Sequence, residues 1–261
     1  MAVDLLSITF DVLPQLRYAA CEKRIRASRG GQPVADTTSA LLVWEPRRLV
    51  PEYAVPAADL LVDLRPTQPL EPPDPLPPLL PPGHFGWHTT AGTPLALEGT
   101  EEEVAFRPDD PVLGGRVVLD FAAFDWVEEE EPVVGHPHDP SQRIDCLPSS
   151  RHVVVRLGGT VLAESRRPVA LFETHLPPRW YLPREDVRMD LLTPSATTTL
   201  CAYKGRASYL SADVEGGADI AWSYPDPLHD GEPVRDLVCF WSERCEVTVD
   251  GRPVTERMPG L

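Results

Sequence analysis

The chain has 261 residues, 40 acids against 24 bases for a formal net charge of −16, with 42% hydrophobic and 25% charged residues. That is enough apolar content for one large or two small domains, yet no run approaches the roughly 18 consecutive apolar residues of a membrane span. Because the bases do not cluster, the acidic chain lacks the counter-charge that carries most nucleic-acid affinity, so neither nucleic acid nor membrane is an expected partner.

In chain order, the opening MAVDLLSITF puts Asp4 where a secretory signal carries positive charge, so the expected location is the cytoplasm. Cys21, Cys146, Cys201, Cys239 and Cys245 are widely spaced with no CxxC pair, which indicates reduced thiols and neither a disulfide framework nor a zinc knuckle. Lysine occurs only at Lys23 and Lys204, and with 31 prolines this resembles the coding bias of a GC-rich genome.

Next comes an internal repeat. Lys23 to Leu60 and Arg151 to Val187 carry one pattern written twice: Gly30 and Gly31 fall on Gly158 and Gly159, Ala35 on Ala163, Asp36 on Glu164, Glu45 near Glu173, and Asp59 on Asp186. Farther on, AFRPDDP from Ala105 falls on AWSYPDP from Ala221 at a shorter offset, so the first copy holds an insertion. Pro66 to Pro82, with nine prolines, can form neither helix nor central strand and is expected to be an extended surface strap. A polar stretch around HPHDPSQRID separates the copies, giving expected domains 1–146 and 147–261.

In the second copy, strands are expected at Val153 to Leu157 and Val161 to Glu164 around a Gly-Gly hairpin turn, then at Val169 to Phe172. Thr197 to Ala202 and Arg206 to Leu210 flank a bend at Tyr203, Lys204 and Gly205, followed by strands at Asp219 to Tyr224, Leu237 to Trp241 and Glu246 to Val249. Only PREDVRMDLL and the stretch after Pro227 suit short helical turns. The predicted fold is mainly β: two tandem pseudo-repeat small domains of antiparallel strands and hairpins.

With GGTVLAES, LFETHLPPRWYLPREDV, TLCAYKGRASY and AWSYPDP, the second copy resembles the family known as domain of unknown function DUF427, and the whole chain is similar to its tandem actinobacterial form. The resemblance implies the fold and the place of the site; a nucleotidyltransferase label is sometimes attached to the family. Metal-dependent nucleotidyl transfer generally uses a Gly-Ser phosphate contact and carboxylates set for two Mg²⁺ ions. This chain has neither a Gly-Ser pair nor an Asp-x-Asp pair, so no reaction, metal or cofactor is read from the label.

The motifs gather Glu173, Tyr181, Asp186, Cys201, Lys204, Arg206, Tyr209, Trp222 and Tyr224. Lys204 suits a tuned amine, an acid or an anion clamp, against an exposed turn lysine as the plain alternative. Lys204, Glu173 and Tyr224 are the catalytic candidates, with Lys204 or Arg206 as the expected partner of Glu173. Tyr181, Asp186, Cys201, Arg206, Tyr209 and Trp222 are the ligand-binding candidates, against ordinary core packing for the aromatics and the thiol. Transferred by the shorter offset, Lys204 falls on His88, Cys201 on Phe85 and Tyr224 on Pro108, which adds His88 to the set. His84, His88, His136 and His138 could together form a four-histidine metal site; surface or interface roles are the alternative. The expected function is binding of a small polar metabolite, with its transformation as a further step, in the second domain or at the domain junction. The alternative is a non-catalytic ligand-binding or protein-interaction module.

Overall fold

The computed structural model describes Ala2, Ile8 and residues 10–254, in two units that meet between Asp139 and Pro140. The first unit contains β1 (Arg17–Ala20), β2 (Ile25–Arg29), β3 (Gln32–Thr37), β4 (Leu41–Trp44), β5 (Glu52–Val55), β6 (Leu64–Pro66), β7 (Gly92–Leu97), β8 (Glu103–Pro108), β9 (Val117–Leu119), β10 (Asp125–Glu128) and β11 (Glu131–Val133). They form a seven-stranded sheet, in the order β1, β4, β5, β9, β8, β7, β6, and a four-stranded sheet, β11, β10, β2, β3.

The second unit contains β12 (Ile144–Pro148), β13 (Val153–Leu157), β14 (Thr160–Ser165), β15 (Val169–Glu173), β16 (Arg179–Leu182), β17 (Leu192–Cys201), β18 (Gly205–Ala212), β19 (Ala221–Ser223), β20 (Val238–Phe240), β21 (Glu246–Val249) and β22 (Arg252–Pro253). Its seven-stranded sheet runs β12, β15, β16, β20, β19, β18, β17, and its four-stranded sheet β14, β13, β21, β22. Replacing β1 to β11 by β12 to β22 in order converts one topology into the other. All the pairings between named strands are antiparallel, so the mainly β, twice-written fold expected from the sequence is the observed one. The strand Ile144–Pro148, which spans the expected boundary at residue 146, pairs with β15 and so lies wholly in the second unit.

Alternation explains the layering. In β13, Val153, Val155 and Leu157 turn inward to meet Trp180, Leu182, Ala221 and Phe240 of the larger sheet; each such side chain contributes about 1.5–3 kcal/mol when fully buried. The first unit builds the same layer from Ile25, Ala27, Tyr53, Val55, Ala105 and Leu119. Both hairpins beside these layers turn on the Gly-Gly pairs, at φ 57° and 79° for Gly30 and Gly31 and 56° and 80° for Gly158 and Gly159, a two-residue turn that side chains resist.

The insertion sits where the two copies treat one strand differently. β17 runs ten residues and turns back at 202–204, while β6 ends after three at Pro66. Residues 67–91 contribute no named strand. The strap is held by arginine: Arg47 donates to the carbonyls of Leu76 and Pro77, both at 3.2 Å, and Leu80, 3% exposed, donates its N–H to the Arg47 carbonyl at 2.9 Å. The expected helical turns appear as single 3-10 turns at Arg184–Asp186 and Met189–Leu191 and a two-turn 3-10 segment at His229–Val234.

Candidate functional site

Strand parity sorts the candidate residues. Tyr181 pairs with Cys239, Cys239 with Trp222 and Trp222 with Tyr209, so one row crosses β16, β20, β19 and β18. Paired residues share a face and every second residue returns to it, which places Leu171, Glu173 and Tyr224 on that face too. This is the outer face of the seven-stranded sheet: Leu171, Tyr181, Ala207, Tyr209, Trp222, Tyr224, Val234 and Cys239 form a second apolar cluster there.

Lys204 approaches the cluster from the turn between β17 and β18. Its Nζ lies 2.5 Å from Glu173 Oε2, with side-chain exposures of 8% and 11%. The other Glu173 oxygen accepts from Gln142 Nε2 at 3.2 Å. Two glycines make the approach possible. Gly205 adopts φ +87°, and a Cβ there would stand 3.2 Å from the Leu228 nitrogen. Gly231 lies so close to the Lys204 backbone and Cβ that a side chain of its own would crowd them at 3.2 Å. The Leu228 N–H then donates to the Lys204 carbonyl at 3.1 Å.

Around this pair the aromatic residues pack on one another. The Trp222 indole N–H donates to the Tyr181 hydroxyl at 3.1 Å, the Tyr209 and Thr199 hydroxyls are 3.2 Å apart, and Tyr181, Tyr209, Trp222 and Tyr224 are all buried. Burial, with Cys201 and then Glu173 adding, pushes the Tyr224 phenol well above the usual tyrosine range. Tyr224 therefore remains a neutral phenol. Cys201 packs against the edge of the cluster as a partly buried thiol.

Two candidates lie elsewhere. Asp186 accepts from the Ser165 hydroxyl at 2.7 Å and pairs with Arg167 at 3.0 Å; its counterpart Asp59 accepts from Thr37 at 2.6 Å, so both copies use this aspartate to pin a turn to the small sheet. Arg206 is exposed, alternating with the buried Gly205 and Ala207, and the partner of Glu173 is Lys204 rather than Arg206.

His88 belongs to the first unit, and there it reproduces the pair. The register of β4 and β15 makes Glu45 the counterpart of Glu173, since Val43 pairs with Glu52 as Leu171 pairs with Arg179. Glu45 Oε2 lies 2.8 Å from His88 Nδ1, and Glu103 Oε1 lies 2.5 Å from His88 Nε2. The ring stacks on Phe106 at 3.6 Å between centroids, and Phe106 occupies the place of Trp222. Burial opposes a charge on His88, but hydrogen bonds to Glu103 and Glu45 outweigh it and raise its pKa. Each copy therefore sets a basic side chain against a carboxylate at the same point of the sheet: Lys204 against Glu173 in the second, and His88 against Glu45 and Glu103, with Arg48 Nε 3.6 Å from Glu45, in the first. Glu103 joins only in the first copy; in the sequence it ends the acidic run Glu101 to Glu103, which reads as a solvated face, yet its side chain is 3% exposed, while the overlay of Glu45 on Glu173 and of His88 on Lys204 already held the rest.

The four-histidine arrangement is not assembled. His88 is engaged by the two glutamates, His84 lies against Trp87 at 4.2 Å between centroids, His136 Nδ1 bonds the Pro137 carbonyl at 2.7 Å, and His138 pairs with Glu128 at 3.5 Å. Among the described residues no group of three or more His, Cys, Asp or Glu is set to hold a metal ion. Nor, among them, is any helix long and apolar enough to cross a membrane.

Among curated proteins, none matches the chain. Residues 145–251, which include both members of the Lys204–Glu173 pair and the whole aromatic row, match the family described as a domain of unknown function, DUF427, and the second half of the chain carries a domain of that family.

Proposed function

We propose that the second unit binds a small polar metabolite at the Lys204–Glu173 pair, with Tyr224 as a neutral hydrogen-bond donor beside it. The observation that carries the reading is the repetition of a buried carboxylate–cation pair on the outer face of both sheets. A buried ion pair adds little net stability over apolar packing of the same volume, so its presence in two diverged copies is better explained by use than by folding. Held against Glu173, Lys204 acts as a charge donor, and a ligand with a carboxylate or phosphate competes with Glu173 for it. The five cysteines are free thiols, which suits a reducing cytoplasm.

The test is thermal unfolding of the wild type and of Lys204→Met/Glu173→Leu against nucleotides, amino acids, sugar phosphates and thiols. A ligand at 100 times its dissociation constant adds about 2.7 kcal/mol, enough to raise the midpoint by several degrees. One class should stabilise the wild type and leave the variant unmoved, and that class is then assayed for turnover. If no class shifts either protein, the small-molecule reading fails. The second reading, a protein-interaction module, takes its support from the close packing of Tyr181, Tyr209, Trp222 and Tyr224, each no more than 8% exposed.

A further inference from the structure

We propose that the first unit binds a small organic cation, a guanidinium or primary ammonium compound, in the cavity between Glu52 and Asp120. The cavity has a volume of about 270 Å³ and is lined by Glu52, Asp120, Phe121, Phe124 and His136 together with Pro82 and Gly83. Each carboxylate spends one oxygen on a backbone N–H: Glu52 Oε2 accepts from Phe121 at 3.0 Å and Asp120 Oδ1 from Ala122 at 3.0 Å. Among the described residues neither carboxylate has a salt bridge. The Arg48 guanidinium acts on both carboxylates through space but bonds neither: its Nη2 donates to the carbonyls of His84, Phe85 and Trp87, and its Nε lies 3.6 Å from Glu45. Two carboxylates and two phenyl rings around an open space are the complement of a compact cation.

The second unit supplies an independent observation, because there the same place is filled by a cation of the chain itself. Glu52 corresponds to Arg179 through the β4–β5 and β15–β16 registers, and Asp120 corresponds to Trp241, each following the strand residue that pairs with Ala105 or Ala221. The Arg179 guanidinium bonds Ser242 Oγ at 2.8 Å and Glu243 Oε2 at 2.9 Å. It also lies over the rings of Trp222 and Trp241, at 5.7 and 5.4 Å. One copy of the fold thus carries a guanidinium at this point, and the other presents carboxylates around an empty volume. Exchanging arginine for glutamate converts an internal cation site into one that accepts a cation from outside.

The site also predicts its own pH dependence. Burial first, and Asp120 second, push the Glu52 carboxyl up to about 8, and burial raises Asp120 as well. Arg48 opposes both shifts, Glu45 adds to the first, Glu102 and Glu103 add to the second, and His136 also lines the cavity. A cation favours ionised Glu52, so binding releases a proton at neutral pH and strengthens as pH rises through 8.

The experiment is a titration of the full chain with methylguanidine, agmatine and the neutral isostere methylurea, followed by NMR at the Phe121 and Ala122 amides, which donate to the two carboxylates. The expected result is saturable shifts at both amides with methylguanidine and agmatine, none with methylurea, and at least about a tenfold loss of affinity in Glu52→Gln, which keeps an acceptor for the Phe121 amide. If Glu52→Gln does not fold, the wild-type pH series decides, with affinity expected to rise between neutral and alkaline pH. Equal binding of methylurea, saturable shifts confined to other residues, no saturable shift at all, or a pH-independent affinity overturns the proposal.

Discussion

Lys204→Met is expected to destabilise the second unit strongly, and adding Glu173→Leu is expected to restore it. At 2.5 Å and an effective dielectric of 20, the gross attraction between the two charges is about 7 kcal/mol, offset by several kcal/mol of lost hydration for each ion. Replacing the lysine by an apolar side chain of similar length removes the attraction and leaves the Glu173 hydration loss in place, relieved only by Gln142 at 3.2 Å. The cost should lie near the low end of the range for breaking a buried pair, about 3 kcal/mol, or a fall of about ten degrees in midpoint for a unit of this size. In the double variant neither charge remains, Met and Leu join the apolar cluster, and stability should return to within about 1 kcal/mol of the wild type. Urea unfolding of the wild type, both single variants and the double variant gives the coupling energy directly. If Lys204→Met costs less than about half a kcal/mol, or the double variant loses the sum of the two singles, the pair is solvated and the argument from burial is wrong.

Three further outcomes are expected. Burial pushes the Glu128 carboxyl up, but hydrogen bonds from His138, Lys23 and Tyr53 outweigh it and hold it at about 2. Because that pKa is depressed on folding, the stabilisation is present above the unfolded value near 4.3 and is lost as pH falls toward 2; Glu128→Gln should flatten that part of an acid-unfolding curve and lower stability at neutral pH. Burial pushes the Cys239 thiol up to about 12 and the Cys245 thiol up to about 11, so a thiol-specific disulfide reagent mapped by mass spectrometry should label Cys201 well before either, and the reverse order would contradict the burial pattern. Gly205→Ala should cost about 2 kcal/mol in a urea titration, because φ is +87° and the new Cβ meets Leu228; an unchanged midpoint would show that the turn relaxes freely.

Much of the fold was legible because duplication wrote its signals twice. The Gly-Gly pairs needed positive φ in both copies, and the drop in offset after Pro66 marked the insertion where the chain leaves the sheet. β16 was not read as a strand and β19 was read too long, as Asp219 to Tyr224 against Ala221–Ser223, since a strand paired on both sides needs only three or four buried residues and its ends are set by its neighbours. The candidate site was legible in part. The overlay of Glu45 on Glu173 and of His88 on Lys204 anticipated two matching pairs, while Asp186 drew notice for its motif although its chemistry is that of a turn anchor, as Asp59 shows by repeating it. The cavity around Glu52 and Asp120 left no trace in the sequence, because it arises from an exchange that no motif marks, glutamate standing at the position that holds Arg179 in the other copy.

The strap beyond β6 bears on how such a sheet stays separate from its neighbours. An exposed edge strand is a template on which a second molecule can add another strand, and β6 and β17 are both edges of their sheets. At β6 the template is three residues long and ends in Pro66, after which the chain offers carbonyl acceptors with few N–H donors to continue a ladder. The bonds from Arg47 to the Leu76 and Pro77 carbonyls occupy some of those acceptors as well. Polymerisation through this edge is therefore terminated chemically, whereas β17 interrupts its ten-residue edge with Pro194 and the irregular register that follows it.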